Sequence, residues 1–137
     1  MKYMILSFGS QQDYDEMAGG GDRPWTGAEV GAMVEFMTKL NNDLEASGEL
    51  VETRGLAAPV HTRRIGRSHG DNVVTDGPYA ETQEVLAGYW VVECDSFDRA
   101  TEIASMLGDC PAPAHVVVRG YADVRPIAEG PVDDIEV

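Results

Sequence analysis

The run Leu86–Asp95 constrains the fold of this chain more than any other segment. It holds Tyr89, Trp90, Val91 and Val92 in succession, and aromatic and β-branched residues favour strands. Side chains alternate between the faces of a strand, so Tyr89 and Val91 share one face while Trp90 and Val92 share the other. Because both faces are apolar, this strand is expected to be covered on both sides.

Two helices are indicated by capping residues and by apolar stripes. Thr26 and Glu29 fit a capping box, and Gly48 stands where that helix would end. Ser96 and Gly108 bound the second helix in the same way. The two stripes recur every three or four residues and are Val30, Met33, Val34, Met37, Leu40 and Leu44, then Phe97, Ala100, Ile103, Ala104 and Leu107.

The other strands are shorter, and the segment Gly9–Trp25 is expected to be a polar loop. Strands are predicted at Lys2–Phe8, Glu49–Thr53, His61–Ile65, Asn72–Thr75 and His115–Val124. The pair His61–Ile65 and Asn72–Thr75 would form a hairpin whose turn contains Gly66 and Gly70. The order of all these elements predicts an α+β fold, a ferredoxin-like antiparallel sheet with two helices on one face. A second copy of the chain would cover the other apolar face, which predicts a homodimer.

Length and charge exclude several classes of protein. A chain of 137 residues suits one domain. The net charge of −14, from 24 acidic and 10 basic residues, argues against nucleic acid and membrane surfaces as partners. The apolar run at the start is too short for a signal peptide, and no stretch reaches the length of a membrane span. A cytoplasmic location is therefore expected, where Cys94 and Cys110 would remain thiols.

A positive island interrupts this acidic chain and is the first candidate for a binding site. Residues 54–75 contain four arginines and one acidic residue, and the arginines are Arg54, Arg63, Arg64 and Arg67. Guanidinium groups bind carboxylates in a bidentate manner, so Arg54 and Arg63 are candidates to hold a small anionic molecule. The alternative is that these arginines only neutralise the acidic majority.

Asp76 and His61 are the candidate catalytic residues. Asp76 would transfer protons if burial raised its pKa, or it would only bond the backbone of its own turn. His61 would be its partner, although a lone histidine in a strand is often structural. Tyr79 and Tyr89 would line an apolar ligand cavity or simply fill the core.

No metal or cofactor is expected. The set His61, His69, Asp71 and Asp76 matches no known ligand spacing. The triplet at 19–21 lacks the spacing and the lysine of a phosphate-binding loop.

Segment 74–84, which reads VTDGPYAETQE, and the following Leu-Ala-Gly-Tyr resemble the signature of the YCII-related proteins of the DGPF group. The resemblance extends over residues 1–127, taken as a single domain, and leaves 128–137 as an acidic tail. It implies a dimeric α+β barrel, and it implies no settled reaction. Tyr79 replaces the usual phenylalanine and Gln83 a common lysine. The early histidine of the wider family is absent, so of its histidine–aspartate pair only Asp76 is matched.

Two functions are consistent with these observations. One is a small cofactor-independent isomerase or lyase that acts on a carboxylated or hydroxylated small molecule. The other is a non-catalytic dimeric module that binds a small molecule or acts with a sigma factor, as the resemblance suggests for some members.

Overall fold

The computed structural model describes residues 1–117 and 119–130. Six strands occur in this part of the chain: β1 (Lys2–Gly9), β2 (Leu50–Gly55), β3 (Arg63–Ser68), β4 (Asp71–Asp76), β5 (Val85–Glu93) and β6 (Ala122–Pro126). Its four α-helices are α1 (Gln11–Met17), α2 (Gly27–Ala46), α3 (Phe97–Gly108) and α4 (Ala114–Val117), and Pro59–His61 forms one 3₁₀ turn. Residues 131–137, most of the predicted acidic tail, lie outside the described residues.

Four strands form one antiparallel sheet in the order β2-β5-β1-β6. Along the chain, the outer strands β2 and β6 are connected to the central strands β5 and β1 by helices or by the β3–β4 hairpin. This is the ferredoxin-like arrangement. The two remaining strands, β3 and β4, pair with each other as a separate hairpin. The predicted α+β fold with an antiparallel sheet is therefore confirmed.

The core lies between one face of this sheet and the helices α2 and α3. Tyr3 faces Val92 across β1 and β5, and Ile5 faces Trp90 on the same side. Ile5 and Val92 are completely buried, as is Ile103 of α3. The other members of this cluster or its border come from both helices, from β2 and β6 and from the residue after β5: Leu44, Cys94, Ala100, Leu107, Met37, Leu40, Leu50, Ala104 and Val124. Both long helices thus pack on one face, as the stripes predict.

The opposite face of the sheet carries the other half of the alternating pattern. Met4 faces Val91 and Leu6 faces Tyr89 in the β1–β5 register. Arg54 of β2 lies next to Tyr89 on this same outer face. Helices α2 and α3 pack against Tyr3, Ile5 and Val92 on the other face. These residues alternate along the strands with Met4, Leu6 and Val91, so the two helices do not cover the outer face.

Two predicted segments are wrong in secondary structure. Gly9–Trp25 is not a loop throughout, because Ser10 begins α1 with a capping box to Asp13. His115–Val124 is not one strand, because the Pro113 carbonyl accepts from the Val116 and Val117 N–H groups and starts the short helix α4. The strand β6 begins only at Ala122. Proline at a helix start outweighs the strand propensity of the valines here.

The hairpin is confirmed, but its strands and its turn have other bounds than predicted. His61 lies in the 3₁₀ turn rather than in a strand. The turn is formed by His69 and Gly70, both with positive φ (51° and 84°), as in two-residue hairpin turns. Gly66 lies inside β3 opposite Val73. All residues of both strands are exposed, so the hairpin projects from the domain.

Candidate functional site

A cavity of about 400 Å³ opens where β1 and β2 end and β5 begins. Helix α1 forms one wall, and the segment between α4 and β6 forms another. Its apolar lining consists mainly of large side chains, which are Phe8, Met17, Trp25, Leu56, Val116 and Tyr121. Its charged lining residues are Asp13, Glu16, Glu84 and Arg119. An apolar cavity with a few converging polar groups is the usual form of a small-molecule site.

Asp13 and Arg119 form a fixed ion pair at this cavity. The Asp13 Oδ2 accepts from the Ser10 backbone N–H at 2.8 Å, and its Oδ1 accepts from Arg119 Nη2 at 2.5 Å. Burial raises the pKa of the Asp13 carboxyl, but the hydrogen bonds from Arg119 and Ser10 lower it by more, so that the net shift is downward. The hydrogen bond to Asp13 raises the pKa of Arg119. Both groups therefore remain charged.

Glu16 is the most deeply buried charged residue of the cavity wall, with only 2% of its surface exposed. Its Oε2 accepts from the Arg23 backbone N–H at 3.1 Å. Its backbone carbonyl accepts from the Trp25 N–H at 2.8 Å, so the chain after α1 folds back over it. Gly21 has a φ of +73°, and a Cβ there would lie 2.7 Å from the Glu16 Cγ. A glycine is therefore needed for this loop to close on Glu16.

His115 lies behind Glu16. Its Nε2 is 3.9 Å from the Glu16 Oε1, which is too long for a hydrogen bond. This nitrogen is buried and makes no hydrogen bond to any of the described residues. Buried polar atoms are nearly always satisfied, so an unpaired one beside a buried carboxylate makes His115 a candidate residue of the site.

Two tyrosines complete the polar lining. The Tyr14 hydroxyl lies 3.0 Å from the Leu56 carbonyl oxygen and 3.2 Å from that of Ala87, so it donates to the strand ends. Burial raises the pKa of Tyr14, which keeps it protonated. The Tyr121 hydroxyl donates to the Glu84 Oε2 at 2.9 Å, and this bond raises the pKa of Tyr121. The ring of Tyr121 stacks on Phe8 with centroids 5.4 Å apart.

The structure places Asp76 away from this cavity. Its Oδ1 accepts from Arg63 Nε at 2.9 Å, and the two side chains are 76% and 74% exposed. The Gly77 N–H donates to the Thr62 carbonyl rather than to the carboxylate. Asp76 and Arg63, two of the residues predicted for the site, thus meet in an exposed pair at the base of the hairpin.

His61 and Tyr79 are brought together at a second, smaller cavity of about 340 Å³, whose wall also includes Leu86. The guanidinium of Arg64 lies over the Tyr79 ring, 5.3 Å from its centroid. Asp76 is not among the residues that line either of these two cavities.

Arg54 and Tyr89 lie on the outer face of the sheet and line neither of the two cavities described. The Arg54 Nε is 3.7 Å from the Glu52 Oε1, and its side chain is two-thirds exposed. Arg67, in the hairpin, donates through its Nη1 to the Gly70 carbonyl oxygen. Two arginines of the positive island, Arg54 and Arg63, thus contact acidic neighbours, whereas Arg64 contacts the Tyr79 ring and Arg67 a backbone carbonyl.

The sequence interpretation missed Asp13, Glu16, His115 and Arg119. One signal was present, because Ser10 and Asp13 have the spacing of a capping box, the same motif that revealed the helix at Thr26. Recognising α1 would have turned Gly9–Trp25 from a loop into a structured wall. No local pattern brings His115 to Glu16, because they are about a hundred positions apart and meet only through the fold.

Within residues 1–117 and 119–130, no three His, Cys, Asp or Glu side chains form a group that would hold a metal ion. Among the helices of these residues, none combines the length and the apolar composition needed to cross a bilayer. The cytoplasmic location remains a prediction.

Comparison with known proteins agrees with the resemblance at the level of the YCII-related family. The model of the YCII-related domain matches residues 1–127. A protein of Rhizobium meliloti (strain 1021) that is described as uncharacterized is 27% identical over 104 residues, which cover 76% of this chain and 80% of that protein. The match extends over all four strands of the main sheet and both long helices. The chain therefore belongs to the YCII-related family.

Proposed function

We propose that this protein is a small cofactor-independent isomerase or lyase whose active site is the 400 Å³ cavity. The observation that carries the proposal is the buried Glu16 carboxylate, which lines the cavity. The unpaired Nε2 of His115 lies 3.9 Å from the Glu16 Oε1. A buried carboxylate and an imidazole that meet at a cavity wall are candidates for proton transfer.

Glu16 is the proposed catalytic residue because it lines the cavity. Its carboxylate removes a proton from a carbon next to a carbonyl group; the C–H electron pair forms the C=C bond of an enolate, and the carbonyl π pair moves onto the oxygen. In an isomerase the same carboxyl group returns the proton to another atom of the substrate. In a lyase a leaving group instead departs from the neighbouring carbon with its bonding electrons.

His115 is proposed as a positioning residue. A movement of about 1 Å would bring its Nε2 into hydrogen-bonding distance of Glu16. A hydrogen bond donated by this nitrogen would hold the Glu16 carboxylate in the orientation needed to act as a base.

The test is deuterium exchange into phenylacetone, a neutral enolisable probe, followed by proton NMR in D₂O. We expect wild-type protein to exchange the protons next to the carbonyl, and Glu16→Gln to lower this rate by at least about 100-fold. Asp76→Asn, the matched control in the exposed pair, should exchange like wild type. For His115→Gln we expect slower exchange than in wild type, because the Glu16 carboxylate loses the imidazole beside it.

If exchange survives Glu16→Gln and is lost in Asp76→Asn, the proposed site is contradicted, and a site at Asp76 and Arg63, where the hairpin begins, is favoured.

If wild-type protein exchanges the probe no faster than buffer, the second candidate function is favoured: a non-catalytic dimeric module that binds a small molecule or acts with a sigma factor. The observation that favours the module is the projecting hairpin, where Ile65 is 67% and Val74 56% exposed. Such exposed apolar pairs are common at contact surfaces.

We also propose that the chain forms a homodimer through the outer face of its sheet and belongs to the DGPF group of its family. Met4, Leu6, Tyr89 and Val91 share that face in the strand register. The DGPF assignment rests on segment 74–84. Sedimentation equilibrium tests the dimer: we expect Leu6→Glu to give a monomer, while Ile65→Glu on the hairpin would do so only if the hairpin makes the contact.

A further inference from the structure

We infer that the cavity selects neutral or cationic aromatic molecules and rejects small anions. This inference rests on the proposed function, because it names the substrate class of the same cavity. It differs from the expectation, drawn from the positive island, of a small anionic ligand.

The charges that line the cavity are predominantly negative. Its described lining holds the three carboxylates Asp13, Glu16 and Glu84 and the single guanidinium of Arg119. All three carboxylates act on Arg119, since the charge of each contributes to its raised pKa. In a partly enclosed space such charges are weakly screened, so an entering anion meets net repulsion.

The positive charge of Arg119 is already matched by Asp13. Its Nη2 is bonded to Asp13, and its Nε donates to the His115 carbonyl at 3.3 Å. Asp13 cannot move aside without breaking the capping box that begins α1, because its other oxygen accepts from the Ser10 N–H. The ion pair is therefore part of the wall, and the charges of Glu16 and Glu84 are left without a matching base among the described lining residues.

The walls suit a flat, apolar ligand. Phe8 and Tyr121 form a stacked pair on one side, with rings inclined by only 16°. Trp25, 8% exposed, and Met17 add apolar and polarisable surface. Aromatic faces attract cations as well as other rings, so an aromatic amine would satisfy both the walls and the carboxylates.

Glu84 is the carboxylate best placed to test this. It is exposed at the rim and accepts from the Tyr121 hydroxyl through one oxygen. It lies outside the α1 capping network, so replacing it by glutamine removes one charge and keeps a hydrogen-bond acceptor. Glu35 on the exposed side of α2 offers a matched control, since Glu35→Gln removes the same charge from a residue that does not line the cavity.

The experiment titrates the protein with three probes of nearly equal size: tryptamine, indole-3-propionamide and indole-3-propionate. The signal is the indole N–H resonance of Trp25 in ¹H–¹⁵N spectra. Trp90 provides the internal reference, because its indole donates to Asn41 and does not line the cavity. Affinity should fall in the order amine, amide, acid, with about a tenfold ratio between the first and the last.

We expect Glu84→Gln to reduce the amine-to-acid ratio at least threefold, and Glu35→Gln to leave it within error. If the propionate binds as tightly as the amine or more tightly, the inference is overturned while the cavity stands as a binding site. If none of the three probes shifts Trp25, the inference is also overturned, and the phenylacetone exchange then decides the proposed function separately.

Discussion

Gly21→Ala tests whether the loop after α1 closes on Glu16 as described. Two costs are combined at this position. The φ of Gly21 is +73°, a conformation that costs an alanine about 1 kcal/mol. The added Cβ would also lie 2.7 Å from the Glu16 Cγ, well inside contact distance.

The chain contains a matched control for the first cost. Gly19 has a φ of +98°, and a Cβ there would meet nothing within 4 Å. We therefore expect Gly19→Ala to lower the free energy of unfolding by about 1 kcal/mol. Forcing an extra carbon into a packed site costs about 1–3 kcal/mol more, so Gly21→Ala should lose about 2–4 kcal/mol in all.

Equilibrium urea unfolding, followed by tryptophan fluorescence, measures both variants against wild type. The quantity that matters is the difference between the two glycines, since it isolates the contact with Glu16. Equal losses for Gly19→Ala and Gly21→Ala would refute the packing of this loop against the buried carboxylate, and with it the enclosure of the proposed catalytic group.

Two further predictions concern stability. First, the pKa of Asp13 is lowered in the folded chain, so its contribution to stability is present above the unfolded value near 3.8 and is lost as the pH falls through the folded value. Urea unfolding between about pH 2 and 5 should therefore show a smaller loss of stability on acidification in Asp13→Asn than in wild type; equal slopes would contradict the Asp13–Arg119 pair. Second, Ile103 is completely buried between α3 and the sheet, and Ile103→Ala should cost about 2–5 kcal/mol in the same assay. A loss comparable to that of an exposed substitution would show that α3 does not pack on this face.

Much of the fold could be predicted from the sequence because its signals are local. The N-cap residues and the apolar stripes predicted α2 and α3 within a residue or two, and the run around Trp90 predicted the central strand β5. The ferredoxin-like order followed, since alternating strands and helices allow few arrangements. The failures were local conflicts: α1 is short and polar, and the valines after His115 favour a strand that Pro113 prevents.

The candidate site was much harder to predict. Asp76 belongs to a conspicuous segment, but in the folded chain its carboxylate pairs with Arg63 in the open. Glu16 stands in what reads as a polar loop, and nothing in its neighbours marks it as buried. Burial of a single carboxylate depends on the loop that closes over it and on His115, which reaches it from the other end of the chain. A sequence pattern shows which residues share one face of a helix or strand. The contact between Glu16 and His115 instead depends on how the whole chain folds.

The most direct test of the central claim is the location of ligand binding, mapped by backbone amide shifts with indole as the probe. If the cavity beside Glu16 is the functional site, the largest shifts will occur at the amides of Phe8, Trp25 and Arg119. The amide resonances of the hairpin residues 63–76 will not shift. Shifts centred on His61 and Tyr79, with α1 unchanged, would place the site at the second cavity and contradict the roles proposed for Glu16 and His115.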